Sequence, residues 1–395
     1  MPELTSFSDV LSGSRVVVKD HLCSRFRASR SSCALCIASC PKGAISLDGQ
    51  VLTLDSNACN SCGVCHSICP NGAFEIKGFD DSWYSARIAE KAPDSSFRFS
   101  CAFGARDAHL LVPCLSRLTE ALVLEPLARG FGAVEILCPD CTACDFGGAE
   151  GHRKAVLERA SLFARMVGLD SGRILLRETP FVPTPSTLVS DPPVSRRALF
   201  GILGRDVLAS ARTAVSPQEA GDLLTDGEKF RKGIEKKEES AKRVHLRSLL
   251  RSFSQRDSIQ VGSQGGFLWD LAVSSRCLGC NVCEQLCPTS AIVREEDEKT
   301  FRLVFSPDRC TACGICVDSY LPRAIRPKET LDLSLLAGDG TIELFSSSKQ
   351  KCVLCRIDFL GDQEGLCNLC KTTNRKRETF AKKWLGKGTC DAASE

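Results

Sequence analysis

Apolar positions along this chain come in short runs, and the period of the pattern changes from one region to the next. Residues 44–54 alternate apolar and polar side chains on either side of Asp48-Gly49. A period of two interrupted by Asp-Gly predicts a β-hairpin with a two-residue turn. A second alternating pair, residues 291–294 and 301–305, is joined by the acidic loop 295–299. Between residues 96 and 180 the pattern differs. Residues 97–101, 109–114, 134–138 and 174–176 are short apolar runs, and the amphipathic stretches 115–128 and 150–167 separate the later ones. Strands alternating with helices predict a small parallel α/β domain.

The polar stretches divide the chain. Residues 181–195, FVPTPSTLVSDPPVS, are rich in Pro and Ser and open a region of linker and charged helices that runs to residue 273. Within it, residues 226–257 are mostly charged. Glu228 and Lys232, and again Glu239 and Arg243, stand one helical turn apart, which predicts a solvated connecting helix. Arg196-Arg197 superficially resembles a twin-arginine export tag, but no apolar segment follows it, so it reads as a helix start.

Charge is nearly balanced, at a formal +3, and gives no global reason to expect nucleic acid or an anionic membrane as partner. No apolar run reaches membrane-span length, and the first residues lack the pattern of a secretory signal. The 25 cysteines therefore point to metal thiolates in a reducing cytoplasm rather than to disulfides.

Most of these cysteines fall in one repeated pattern. Cys59-x2-Cys62-x2-Cys65-x3-Cys69-Pro70 recurs as Cys277-x2-Cys280-x2-Cys283-x3-Cys287-Pro288. Cys310-x2-Cys313-x2-Cys316 repeats the three-cysteine core, and Cys33-x2-Cys36-x3-Cys40-Pro41 the second half. Three thiolates on a tight turn reach three corners of one iron–sulfur cube, and the displaced fourth reaches the cube of the partner motif. A zinc site would need only two CxxC knuckles. The motifs pair into two modules, residues 20–77 and 274–328. They continue alike, as Pro41-Lys-Gly-Ala-Ile, Pro70-Asn-Gly-Ala-Phe, Pro288-Thr-Ser-Ala-Ile and Leu321-Pro-Arg-Ala-Ile.

These motifs and spacings resemble bacterial-type dicluster [4Fe-4S] ferredoxins. In the first motif Arg30 stands where the leading cysteine belongs, and Cys23 can substitute if residues 24–30 loop back. The form Cys-x9-Cys-x2-Cys-x3-Cys-Pro resembles the first half of ferredoxins in some multi-cluster redox proteins. The crossover rule then groups Cys23, Cys33, Cys36 and Cys69 around one cube, and Cys59, Cys62, Cys65 and Cys40 around another. In the second module Cys310, Cys313, Cys316 and Cys287 make a complete set. Cys277, Cys280 and Cys283 lack a fourth thiolate, because that position is Tyr320. Three [4Fe-4S] clusters are thus expected. The fourth site holds a [3Fe-4S] or labile [4Fe-4S] cluster, capped by water, Asp318 or Tyr320, or has degenerated to packing.

The central region carries Cys101, Cys114, Cys138, Cys141 and Cys144. Three of these end expected strands, and ligands bind at the carboxyl edge of open parallel sheets. Phe99-Ser-Cys101, Val112-Pro-Cys114-Leu-Ser-Arg-Leu and Ile136-Leu-Cys138-Pro-Asp-Cys141 resemble the small iron–sulfur subunit of hydrogenases linked to heterodisulfide reductase. That resemblance implies a [2Fe-2S] cluster and contact with a partner enzyme. A buried packing role for Cys101 and Cys114 is the alternative.

Cys352-x2-Cys355-x11-Cys367-x2-Cys370, in a tail spanning residues 346–388, has the spacing of a four-thiolate, zinc-ribbon-like site. Rubredoxin-like iron has the same signature. Residues 371–387 are strongly basic.

The fold expected is a multidomain α+β chain. Two dicluster ferredoxin-like modules flank a small parallel α/β domain and are followed by the zinc-ribbon-like tail. No Gly-rich nucleotide fingerprint appears, and the five histidines form no constellation. The chain reads as an electron-transfer subunit with a redox partner protein or oxidoreductase complex, rather than a catalyst. An iron–sulfur or zinc regulator binding nucleic acid through its basic tail is the second reading.

Overall fold

A computed structural model describes residues 16–142, 144, 149–183, 226–263, 267–319, 323–361 and 365–385. Tyr320, Leu321, most of the 181–195 linker, Arg196-Arg197 and Cys390 lie outside them. The two cysteine-rich modules are built on one plan. In the first, strands Val16–Val18 and Phe74–Ile76 pair antiparallel and close the module, while Ile45–Asp48 and Val51–Leu54 form its hairpin. In the second, Leu271–Val273 pairs with Ile325–Pro327, and Ile292–Glu296 with Thr300–Phe305. The hairpin turn falls on Gly49-Gln50, one residue later than Asp48-Gly49. Gly49 stands first in the loop with φ +59°, a backbone state that costs glycine nothing.

Between the modules lies a four-stranded parallel sheet. Its strands are Phe97–Cys101, Leu110–Val112, Val134–Pro139 and Ile174–Thr179, and they are ordered second, first, third, fourth. The inner strands bury Phe97, Phe99, Val134 and Ile136 completely, while Arg98 and Glu135 between them stay partly exposed. The expected amphipathic helix over 115–128 is instead a short 3-10 turn, Leu115–Arg117, followed by the helix Glu120–Ala128. That helix is buried from Ala121 to Leu127. Helices Glu150–Met166, Asp81–Ala89 and Ala241–Ser252 pack around it, so it has no solvent face.

The charged segment after residue 226 follows the solvated-helix expectation at Glu228 and Lys232, which are exposed, and departs from it at the buried Arg243. Its helices, Asp226–Glu235 and Ala241–Ser252, tie the modules together. Lys237 donates to the carbonyls of Glu284, Gln285 and Cys287, and Lys242 to those of His66 and Ser67. Arg247 bridges Glu239 and Asp308, and His245 meets Glu125. Arg27, fully buried, donates to the carbonyls of His21, Gly233, Ile234, Lys236, Gln285 and Leu286. The charges are numerous because they satisfy inward-facing carbonyls and carboxylates on neighbouring elements, as burial demands.

The second hairpin extends into the tail. Thr300–Phe305 pairs on its free edge with Ile342–Lys351, which pairs in turn with Asp358–Leu360. The helix Asn368–Leu385 follows.

Candidate metal centres

In each motif the third cysteine lies in a helix of about one turn, and in the first three motifs a fourth cysteine stands just past its end. Helices Leu35–Ser39, Val64–Ile68 and Val282–Leu286 stop at Cys40, Cys69 and Cys287, all with extended backbones, ψ 113°, 118° and 117°. The proline that follows each enforces this, because its ring excludes the helical conformation from the preceding residue. The thiol is thereby thrown away from its own turn. Each then accepts an amide proton at 3.3 Å from the alanine of the Pro-x-x-Ala repeat, Ala44, Ala73 or Ala291. The last motif differs. Its helix Ile315–Asp318 ends at Ser319 in a helical conformation, φ −85° and ψ −19°, and no cysteine or following proline stands there.

The turns before these helices are also shared. Ser61, Gly279 and Ala312, each preceding the second cysteine of its motif, have φ of +56°, +69° and +53°. Left-handed backbone at Ser61 and Ala312 is costly for a side-chain residue. It persists where the surroundings need the turn. Gly63 has φ +83°, and a Cβ there would come within 2.5 Å of Arg117 Cγ, so only glycine fits.

The thiols gather in sets. Burial pushes Cys36 up to about 12, and Cys69, Cys23 and Cys33 are the thiols that add to the shift. Cys23 is raised by burial too, with Cys69 and Cys33 as neighbours. The Cys23–Cys33 loop is pinned by Arg25, whose Nε donates to Cys33 O at 2.8 Å. Burial likewise pushes Cys62 up to about 12, with Cys114, Cys40 and Cys59 beside it. Cys65 is raised by burial and by Cys62, Cys59 and Cys36. In the second module burial pushes Cys313 up to about 12, reinforced by Cys287 and Cys310. Cys316 is raised by burial and by Cys313, Cys310, Cys287 and Cys283. Cys283, raised by burial to about 12, has Cys280 and Cys277 beside it.

Tyr320, the expected partner of that last trio, lies outside the described residues. Asp318 faces elsewhere: its Oδ2 accepts from Ser32 Oγ at 3.4 Å, and its charge acts on Cys33.

In the parallel sheet, Cys101 ends the first strand and Cys138 lies near the end of the third, the two strands flanking the point where strand order reverses. Such a switch point is where a crevice forms. Cys114 follows the second strand. Burial pushes Cys101 up to about 12, with Cys114, Cys144 and Cys141 adjacent. Arg153, almost sealed from solvent, donates from Nη1 to Cys141 Sγ at 3.6 Å.

Buried thiols that repel one another do not ionise unaided, whereas a bound metal deprotonates a coordinating thiol outright. All-sulfur donors select zinc, copper(I) or iron–sulfur centres. Sulfur spacing separates single ions from larger cores. A zinc tetrahedron with Zn–S of about 2.3 Å has S–S edges of about 3.8 Å. Among the described residues, only Cys352, Cys355, Cys367 and Cys370 place all their ligand atoms within 4.8 Å of one another. Cys355 and Cys367 are 3.7 Å apart. The remaining sets are more open than a single ion requires.

Paired sulfur sets on a duplicated turn-and-helix scaffold define a protein that carries iron–sulfur clusters. Residues 30–78 and residues 276–319 each match the family model of the 4Fe-4S dicluster domain. The chain thus holds two such domains, one in each cysteine-rich module. The matches begin after Cys23 and end before Tyr320. Clusters of this kind serve electron transfer and imply a redox partner. Among the described residues no helix is long and apolar enough to cross a membrane.

Proposed function

We propose that the chain is a multi-cluster electron-transfer protein whose five thiol sets form one unbranched relay. Thiolate-held iron–sulfur clusters take and give single electrons with little rearrangement. The order is read from neighbouring sets. The sheet set of Cys101, Cys114, Cys138, Cys141 and Cys144 borders the Cys59, Cys62, Cys65, Cys40 set, where Cys114 acts on Cys62. That set borders the Cys23, Cys33, Cys36, Cys69 set, where Cys36 acts on Cys65. The modules meet through Ser32 and Asp318 and through Asn71 and Thr311. The Cys310, Cys313, Cys316, Cys287 set then borders Cys277, Cys280 and Cys283, where Cys283 acts on Cys316.

The observation that carries the reading is this succession, in which each set lies within electrostatic reach of the next or across one buried junction from it. We assign [4Fe-4S] clusters to the three complete module sets, and a three-iron or labile four-iron cluster to the Cys277 set. The sheet set suits a [2Fe-2S] cluster, and the tail set suits zinc. The relay joins a soluble donor to an oxidoreductase partner. None of the 24 described cysteines is in a disulfide, in keeping with a reducing compartment.

Anaerobic preparation with iron, sulfide and zinc counts, followed by reductive titration under EPR, tests the reading. Interacting reduced signals from neighbouring sites are expected. Zinc in the module sets with no acid-labile sulfide would overturn it.

A further inference from the structure

A cavity of about 430 Å³ opens where the N-terminal module, the helix Glu150–Met166, the connecting helix Ala241–Ser252 and the C-terminal module meet. That volume is within the range of small-molecule sites. Its wall is divided by chemistry. Leu35, Ile68, Leu246 and Phe267 give it an apolar side, and Arg159, Lys242 and Arg243 bring three cations to the other. Glu120 is the acidic residue of the lining, and it is already engaged: Arg159 Nε donates to Glu120 Oε1 at 2.7 Å.

Among the described residues the other two cations make no salt bridge, although the charge of Glu120 acts on both. Lys242 uses its Nζ on the His66 and Ser67 carbonyls. Arg243 is 7% exposed. Its Nη2 donates to the Phe267 carbonyl, while its Nη1 is buried without a hydrogen-bond partner. A guanidinium proton left unpaired in a dry wall is costly, and a carboxylate oxygen is its strongest complement. The guanidinium also lies over the Phe267 ring, 5.4 Å from the centroid. His152, on the same wall, is held neutral down to about 4 by burial and by the charges of Lys242 and Arg159. The lining side chains thus set three cations against the one carboxylate of Glu120, beside an apolar floor, with Cys69 acting on Lys242 and Cys310 on Arg243 from behind the wall.

We propose that this cavity binds a small organic anion, its carboxylate held between the side chains of Lys242 and Arg243 and its apolar body laid against Phe267, Leu246 and Ile68. Leu35 and Pro70 adjoin Cys36 and Cys69, and Thr311 adjoins Cys310. The occupant thus sits at the junction of the two modules, against residues next in sequence to cysteines of both.

The test is calorimetric titration of the full-length, cluster-loaded protein under argon with benzoate, benzyl alcohol and inorganic phosphate. Benzoate is expected to bind saturably, one per chain. The alcohol, which lacks the charge, and phosphate, which lacks the apolar body, should each bind at least tenfold more weakly. Arg243→Gln removes the anchor. Leu35→Trp, at a rim position 46% exposed, fills the mouth without touching the core. Each should weaken benzoate at least tenfold. Absence of saturable benzoate binding up to about 10 mM, or unchanged binding in both variants, overturns the site. Phosphate binding as tightly as benzoate overturns the organic-anion assignment.

Discussion

Thr311 donates its hydroxyl proton to the side-chain oxygen of Asn71 across 2.6 Å, and both residues are almost completely buried. Asn71 lies two residues past Cys69, and Thr311 directly follows Cys310. The same Asn71 amide donates to Leu22 O at 2.9 Å and Ser24 Oγ at 3.1 Å. One side chain therefore joins the Cys23 turn to the opposite module.

Asn71→Ala leaves the Thr311 hydroxyl and the Leu22 carbonyl unpaired in a dry junction. The expected cost is roughly 1–3 kcal/mol, seen as a lower guanidinium midpoint for the cluster-loaded protein. Adding Thr311→Val should recover part of the loss, since removing both partners is gentler than removing one. Equal midpoints for wild type and Asn71→Ala would mean the contact does not hold the junction.

The alternation at residues 44–54 was enough to place the first hairpin, because a period of two around a glycine turn admits few other structures. The Cys-x3-Cys-Pro spacing was equally legible, since one helical turn plus a pre-proline residue determines where the fourth thiol goes. The stretch containing the helix Glu120–Ala128 reads as amphipathic in the sequence, but the helix is buried from Ala121 to Leu127. Its outer face is covered by Ala241–Ser252, an element far away in sequence, and the polar Glu125 accepts from Ser85 and Arg129 at Oε1 and lies 3.3 Å from His245 at Oε2. The inward-turned charges of Lys237, Lys242, Arg243 and Arg247 are illegible for the same reason. Periodic charge looks alike whether it faces water or buried carbonyls, and only tertiary contacts decide. The strand Ile342–Lys351 was missed because IELFSSSKQK has too few apolar residues to declare itself; its pairing comes from the free edge of Thr300–Phe305.

Cysteine replacements test the crossed grouping directly. Cys23→Ser and Cys69→Ser, 46 positions apart in the sequence, should abolish the same EPR signal. Cys40→Ser should instead perturb the signal lost in Cys62→Ser. If Cys40→Ser and Cys36→Ser alter one signal together, the fourth cysteine serves its own motif and the crossed grouping fails.

Asp81, which opens the helix Asp81–Ala89 just after the first module, is an acid-sensitive point. Burial alone would raise its carboxyl, but Arg117 and then His66 outweigh that and hold it well below the ordinary carboxylate range. Its oxygens accept from Arg117 Nη1 at 2.9 Å and Thr119 Oγ1 at 3.0 Å. The folded value lies below the unfolded value of about 4, so the stabilisation is fully present above pH ~4 and is lost as pH falls further. Asp81→Asn should cost about 3–5 kcal/mol at neutral pH by stranding the buried Arg117. It should also flatten the acid limb of the stability–pH curve. An unchanged acid limb would move the sensitivity elsewhere.

Arg153 gives the sheet set a fixed positive charge. Burial pushes Cys138 up to about 11 against the opposing pull of Arg153, whose Nη1 reaches Cys141. Removing a cation beside a redox centre favours its oxidised form. Arg153→Gln should therefore lower the midpoint potential of that centre, on the order of 50–100 mV for a partly screened charge at this range. The other midpoints should stay in place. An EPR-monitored titration in which no midpoint moves would remove the sheet set from the relay.

The tail should hold zinc independently of the iron. Its 3.7 Å sulfur contact matches the edge of about 3.8 Å expected for zinc thiolates. The amide protons of Cys355 and Cys367 push Cys352 down to about 6, so one thiolate stands ready at neutral pH. Cys370 is pushed up to about 12, chiefly by the neighbouring Cys367 thiol, and must lose its proton to the incoming metal. Protons and zinc therefore compete, and affinity should rise with pH. Below about pH 6 Cys352 protonates as well, so release should steepen there. Cys355→Ser in the full-length protein should lower zinc content while iron and sulfide stay constant. Zinc retained in full by that variant, or release that does not depend on pH, would show that the four cysteines do not form the metal site.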